Sequence, residues 1–493
     1  MIKVGGSARL RFVSVLVLAF ALGCGGSSAA PGKGPSGSGG ASGTGGQSGT
    51  QTGQDAAAPS SDSGGPSDNP TDATNASDAS PSTTTPDAGA TADVPAATAD
   101  AVAPAPDGSG AATDAPASSS DGPAADAQAS LADGSAPPPV SVGYRLFPQA
   151  NSTSAYAISM TAELWSWGAN GSGQLGHAGA TTPAMVTALG TMAAACAGGE
   201  IHAIAVSKDG NAFTFGTNFS GQLGNTVDTG TFTNPHPIPS MVALPTGVKA
   251  LPSAAAGERY AAVLADDGNV YMWGGNLYGQ QANKTNIGNM TANPAVHMVP
   301  KPTGVTTWKT LGGGYSHLLT VAQDDQLWAW GDNRQGQLGV GTMGGAPDGV
   351  LKAVTKPSGV IGWAYAVGGR DFTLGMASNG ALYAWGANDM GQLAAAGASQ
   401  PTPTLVNLPS GATGWRKIAA GKDHAAAITT EGKLYTWGNG SGAAPKEVAP
   451  PTGVASWIDV TASVAQVIAT GVDGKVYSWA TGGKPAAAMA GLP

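Results

Sequence analysis

Catalysis in this chain would have to start from its six histidines, and three of those share one position. His202, His317 and His424 each open a short unit that ends thirteen residues later in an aromatic side chain. An imidazole at such a place could act as a general base, or in pairs as a metal ligand. The other units put Tyr156, Tyr260, Phe372 and Gln466 at that position. A place open to His, Tyr, Phe and Gln asks for a flat, partly polar filler, not a base. His177, His236 and His297 fall between units, with no carboxylate or cysteine partner at useful spacing. Asp266-Asp267-Gly268 and Asp324-Asp325 lack the alternating acidic spacing of a calcium loop. There is no Gly-x-Ser-x-Gly elbow, Walker loop or His-x3-His pair, and two cysteines cannot form a zinc cluster. The residues therefore predict no catalytic site, no cofactor and no metal.

The units that carry those positions are written seven times. Their closing aromatics are Trp167, Phe215, Trp273, Trp330, Trp385, Trp437 and Trp479, spaced 48, 58, 57, 55, 52 and 42 residues apart. The first copy, counted from Tyr156, is two residues shorter than the rest. Each unit is an apolar run, a turn and a second run. Asp209-Gly210, Asp267-Gly268, Asn379-Gly380, Glu431-Gly432 and Asp473-Gly474 are the pairs that tight hairpin turns use. The second run places two aromatics two residues apart, as in Tyr435/Trp437, with small residues such as Thr436 between them. One strand face is then large and the other small, which lets neighbouring sheets pack radially. The aromatic stripe is core, and the fold class expected is an all-β, seven-bladed β-propeller.

A second signature follows the closing aromatic: Trp167-Gly-Ala-Asn-Gly-Ser-Gly-Gln-Leu-Gly176, repeated after Phe215 and Trp330 and weaker after Trp273 and Trp385. Its glycines permit a tight turn, its Asn can cap backbone, its Gln can bond neighbouring carbonyls and its Leu can plug the core. A Gly-x-x-[His/Tyr/Phe] step precedes five of the units, as in Gly199-Glu-Ile-His202 and Gly421-Lys-Asp-His424. Taken with the Asp-Gly hairpins, these motifs resemble the regulator of chromosome condensation repeat over roughly residues 144–493. The resemblance implies a seven-bladed propeller. It also implies, for the eukaryotic members, nucleotide exchange on a nuclear GTPase, and for exported bacterial relatives, protein binding through loop faces. WD40 and kelch signatures fit less well.

Ahead of the repeats the chain changes character. Lys3, Arg9 and Arg11 precede an apolar run from Phe12 to Gly23, too short to span a bilayer. Ala21-Leu22-Gly23-Cys24 resembles a bacterial lipoprotein box, which implies a signal peptide over 1–23 and lipidation of Cys24. Residues 24–140 are rich in Ala, Gly, Ser, Thr and Pro, with thirteen aspartates between Asp55 and Asp133. From Gly25 to Pro139, Val94, Val102 and Leu131 are the only larger aliphatics. Such a segment cannot bury enough apolar surface to fold and reads as a disordered tether, roughly 60 Å end to end as a flexible coil. Residues 141–493 form the propeller domain.

Charge follows the same division. Of 22 basic and 31 acidic residues, the segment to Pro139 holds 4 and 13, leaving 18 of each in the propeller. The net charge of −9 therefore lies in the tether, and no basic patch suggests nucleic acid. Cys196 stands alone in an apolar run and reads as an inert buried thiol. Functional information must then lie on the surface. Between Asn and Gly of the second signature two positions vary: Gly171/Ser172, Phe219/Ser220, Leu277/Tyr278, Arg334/Gln335 and Asp389/Met390. Phe219, Tyr278, Arg334 and Met390 are of types enriched at interfaces and are the candidate partner-binding residues. A second variable set, Glu200, Glu258/Arg259, Arg370/Asp371 and Lys422/Asp423, lies in the Gly-x-x-His step, and inserts 225–242, 282–299 and 340–354 could add contacts. The reading is a monomeric, exported lipoprotein anchored in the bacterial envelope, whose propeller is a non-enzymatic scaffold for a protein or glycan partner. The alternative is a propeller-based polysaccharide lyase or hydrolase. An export signal leaves a nuclear exchange partner out of reach.

Overall fold

The computed structural model describes residues 143–150, 152–179, 182–485 and 487–493. The signal segment 1–23, Cys24 and the tether 24–140 lie outside the described residues. Seven antiparallel sheets follow one another along the chain, each built from consecutive strands. In blade 2, for example, Ala193–Gly198, His202–Ser207, Ala212–Gly216 and His236–Met241 run from the central channel to the rim. Blade 7 has three strands, Trp457–Ala462, Gln466–Gly471 and Val476–Ala480, and its fourth place is taken by a bridge from Tyr477 to Ala488. Among the described residues the ring closes without strand exchange. Leu146 donates its N–H to Asp459 (2.8 Å), Thr461 its hydroxyl to the Phe147 carbonyl (2.8 Å), and Val464 its N–H to the Ser152 carbonyl (3.1 Å).

The repeated hairpin is the second and third strand of each blade. His202 pairs with Gly216, Tyr260 with Gly274 and His424 with Gly438. In blade 1, Ser154 pairs with Gly168, so Ser154 and not Tyr156 is the equivalent of His202. The first hairpin is as long as the others. A strand repeats its faces every two residues, so a two-residue misalignment keeps every side chain on the correct face, and its one trace is the shorter count from Tyr156.

Gly210, Gly268, Gly380, Gly432 and Gly474 take the positive φ that their turns require. Where glycine is missing, Ala162 (φ 63°) and Asp325 (φ 61°) adopt it instead. A left-handed alanine is strained by roughly 1–2 kcal/mol. Ala162→Gly should therefore raise stability by about 0.5–1 kcal/mol after the entropic cost of glycine. A urea midpoint unchanged or lowered would count against this reading.

The closing aromatics are core, with Phe215, Trp273, Trp330, Trp385 and Trp437 fully buried. In the first six pairs the first aromatic lies nearer the surface, and Trp165, Phe213 and Trp328 are half-buried. A second set of tryptophans, missed in the sequence, starts the inner strands. Trp363, Trp415 and Trp457 pack against Trp385, Trp437 and Trp479 with ring centroids 5.7, 6.1 and 5.7 Å apart. Cys196 is buried.

Candidate protein-binding face

The loop after the third strand is held from within. Asn218 accepts the Leu223 N–H (2.8 Å), Gln222 accepts the Ser220 N–H (2.7 Å), and Leu223 is buried. The same pair of bonds recurs around Asn170, Asn276, Asn333 and Asn388. The Gln side chain thus accepts from backbone N–H, where bonds to carbonyls were expected. Its own carbonyl takes the indole N–H of the next blade: Trp273 to Gln222, Trp330 to Gln280, Trp385 to Gln337 and Trp437 to Gln392, all at 2.9 Å. Phe215 has no N–H to give, and the Tyr156 hydroxyl serves Gln174 instead (2.7 Å). Locked loops of this kind fix the two variable residues at each apex.

Because the strands of a blade are sequential and antiparallel, this loop and the Gly-x-x-His step leave the same end of the blade. The two variable sets form one face. Arg259, from the second set, lies over Phe219 (5.2 Å) and over Phe232 (5.7 Å), which itself stacks on Phe219 with centroids 4.1 Å apart. Its Nη1 also donates to the Met290 sulfur (3.3 Å). Phe232 and Met290 come from inserts 225–242 and 282–299. Next to this cluster, Arg334 lies 4.4 Å over the Tyr278 ring and is gripped by Asp332, Nε to both carboxylate oxygens (3.0 Å) and Nη2 to one (2.7 Å). Asp332 is 2% exposed, Arg334 56%. Its hydrogen bonds to Asp332 hold Arg334 firmly charged. Met390 is exposed.

The face thus comprises two Arg–aromatic clusters in blades 2 to 4. Sequence reading missed Phe232, Met290 and Asp332. Asp332 had a signal: the place before the loop Asn holds Ala169, Thr217, Gly275 and Ala387 elsewhere. Toward the channel, Glu258 is reached by Ser316 (3.4 Å) and Arg259 (3.5 Å), and Arg370 lies between Asp371 (3.0 Å) and Asp423 (3.4 Å). Burial pushes all three carboxyls above their ordinary range, against the pull of the arginines.

The shared histidines are ties between blades. His202 donates Nε2–H to the Tyr260 carbonyl (3.0 Å), His317 to the Thr373 hydroxyl (2.9 Å) and His424 to the Gln466 carbonyl (3.3 Å). Burial brings all three from 6.5 down to about 4. His236 departs from expectation: its Nε2 lies 3.1 Å from Asp228, because the insert folds back on itself, and it opens an outer strand. Among the described residues no three His, Cys, Asp or Glu side chains lie close enough to hold a metal ion.

Residues 149–445 match the RCC1-like domain. The chain belongs to that family. Within it, the chain is 28% identical to the ultraviolet-B receptor UVR8 of Arabidopsis thaliana over 305 residues, 59% of this chain and 64% of the receptor. It is 31% identical to the RCC2 homologue of Xenopus laevis over 160 residues, 32% and 30% of the two chains. The matches thus span less than two thirds of these relatives. Two solved structures share the fold: human WBSCR16 (TM-score 0.57, 21% identity, 64% of this chain and 88% of that one) and Prp20p of Saccharomyces cerevisiae (0.57, 20%, 66% and 81%). The latter is described with its binding to Gsp1p and histones.

Proposed function

We propose that this RCC1-like propeller is a non-enzymatic binding scaffold that engages a protein partner through the face of the Arg–aromatic clusters. The observation that carries this reading is the pair of pre-positioned guanidiniums, Arg259 against the stacked rings of Phe219 and Phe232, and Arg334 between Tyr278 and Asp332. Aromatic and arginine anchors held in one conformation lose little entropy on binding, which is what interface hot spots require. We further propose that the scaffold is exported, with residues 1–23 as signal peptide, Cys24 lipidated and 24–140 as an acidic tether to the bacterial envelope. This part rests on sequence alone.

The test is capture from an envelope fraction by the full chain, beside a variant with Phe219→Ala, Tyr278→Ala and the paired Asp332→Asn and Arg334→Gln. The paired change avoids leaving a buried carboxylate alone. Each lost anchor of about 2 kcal/mol weakens binding roughly thirtyfold, so a protein held by the parent should be lost from the variant, while Lys208→Ala on the opposite face changes nothing. Equal retention by both chains would remove the face from consideration. Recovery of glycans in place of protein would overturn the partner class.

A further inference from the structure

Seven methionines stand exposed among the described residues, and one of them differs from the rest in its bonding. Met290, 53% exposed, accepts a hydrogen bond at Sδ from Nη1 of Arg259 (3.3 Å), and it alone among these methionines does so. A thioether is a weak acceptor for so strong a donor, so the loop sets this contact more than the bond itself does. The segment that carries Met290 is pinned on both sides. Gly288 donates its N–H to the Leu277 carbonyl (3.1 Å), Asn293 its N–H to the Ser220 carbonyl (3.0 Å), and Asn286 its Nδ2–H to the Asn293 side chain (2.8 Å). Arg259 is held in turn by the Phe219 and Phe232 rings and by Glu258, 3.5 Å from its Nε.

A cleft of about 240 Å³ opens to solvent beside the sulfur, lined by Ser220, Glu258, Arg259, Leu277, Asn289 and Met290. It brings a nucleophilic sulfur and a fixed cationic donor to one small polar space. That pairing suits one reaction, oxidation of the thioether to its sulfoxide by a peroxide. The sulfur lone pair attacks one peroxide oxygen, and the S–O bond forms as the O–O bond breaks. The proton of the transferred oxygen passes to the leaving one, so sulfur is oxidised and hydrogen peroxide is reduced to water. Negative charge builds on the leaving oxygen before that proton arrives, and a positioned guanidinium stabilises it. Met160 (58% exposed) and Met241 (66%) are at least as open to solvent, with no hydrogen bond at sulfur among the described residues.

We propose that Met290 is an oxidation site for peroxide, at which the Arg259 guanidinium promotes oxygen transfer to the sulfur. The product sets a sulfoxide oxygen, a far stronger acceptor than the thioether, against one anchor of the candidate face. The chemistry does not depend on what that face binds, so its test needs no partner. The full chain is treated with dilute hydrogen peroxide at neutral pH and quenched with catalase at intervals, and the sulfoxide at each methionine is followed by peptide mass mapping. The expected result is oxidation of Met290 roughly tenfold faster than of Met160 or Met241, below the hundredfold or so that one donor gives in a closed site. An Arg259→Ala variant, shown to be folded by circular dichroism and its urea midpoint, should bring Met290 down to their rate. The comparison within the parent does not depend on that variant folding. Equal rates in the parent overturn the proposal. So does a Met290 slower than the other two, which would mean that the guanidinium shields the sulfur. An Arg259→Ala variant that keeps the fast rate overturns it as well, because the loop and not the cation would then set the rate.

Discussion

Gly257→Ala should cost the propeller more than about 3 kcal/mol, beyond the usual range for one added methyl group. The backbone there is not left-handed, so the effect is purely spatial. A Cβ on Gly257 would strike the Tyr260 ring and approach the carbonyl oxygens of Tyr315 (2.5 Å) and Gly314 (2.6 Å) in the next blade. None can retreat cheaply. The Tyr260 hydroxyl donates to the Gly314 carbonyl (2.8 Å), and the Tyr315 carbonyl takes the Glu258 N–H (2.8 Å). Gly199, Gly314, Gly369 and Gly421 sit in the same vice, each between its own blade's ring and a carbonyl of the next blade. Displacing one blade therefore strains its neighbours in turn. The check is the urea midpoint of Gly257→Ala against Gly171→Ala, where a methyl group meets nothing within 4 Å. The second change should stay within about 0.5 kcal/mol. Similar midpoints for the two would show that the inter-blade steps yield more easily than their geometry implies.

Acid should weaken the fold well before ordinary carboxylates protonate. His202, His317 and His424 titrate near 4 in the folded chain and near 6.5 when unfolded. Above 6.5 both states hold them neutral and their full contribution is present. As pH falls from 6.5 to 4 the unfolded state takes up protons first, so stability is lost across that window. By pH 5 the loss is about 2 kcal/mol per imidazole, a large part of the stability of an ordinary domain. Glu258, Asp371 and Asp423 work the other way, because their raised pKa values favour the folded state as they protonate. They are more accessible than the imidazoles and should offset only part of the loss. Glu431, held down to about 2 by the Thr413 hydroxyl first of all, adds a further loss below its unfolded value of 4.5. Replacing the three histidines by Phe, the residue blade 5 carries at Phe372, should flatten the denaturant midpoint between pH 7 and pH 5. It should also lower the pH 7 value by about 1 kcal/mol per lost hydrogen bond. Parallel pH curves for parent and variant would place the acid sensitivity elsewhere.

What the sequence determined by itself was local. The seven hairpins, their aromatic faces and the glycines at Gly210, Gly268, Gly380, Gly432 and Gly474 follow from a two-residue strand period and from turn chemistry that operates within about fifteen residues. The seven-bladed ring follows from repetition, since one hairpin cannot bury its large face alone. The tertiary structure decided whatever joins residues some fifty positions apart or depends on how an insert folds. Spacing points to Ser154, thirteen residues before Trp167, as the blade 1 equivalent of His202, whereas residue type points to Tyr156, and the strand pairing decides between them. Nothing local reveals that Arg259 reaches Phe219 and Phe232, that Asp228 meets His236, or that Arg334 is clamped between Tyr278 and Asp332. The physical reason is that pattern and propensity fix the geometry within a blade, whereas the candidate face is made between blades, where packing distance and loop path set which side chains meet.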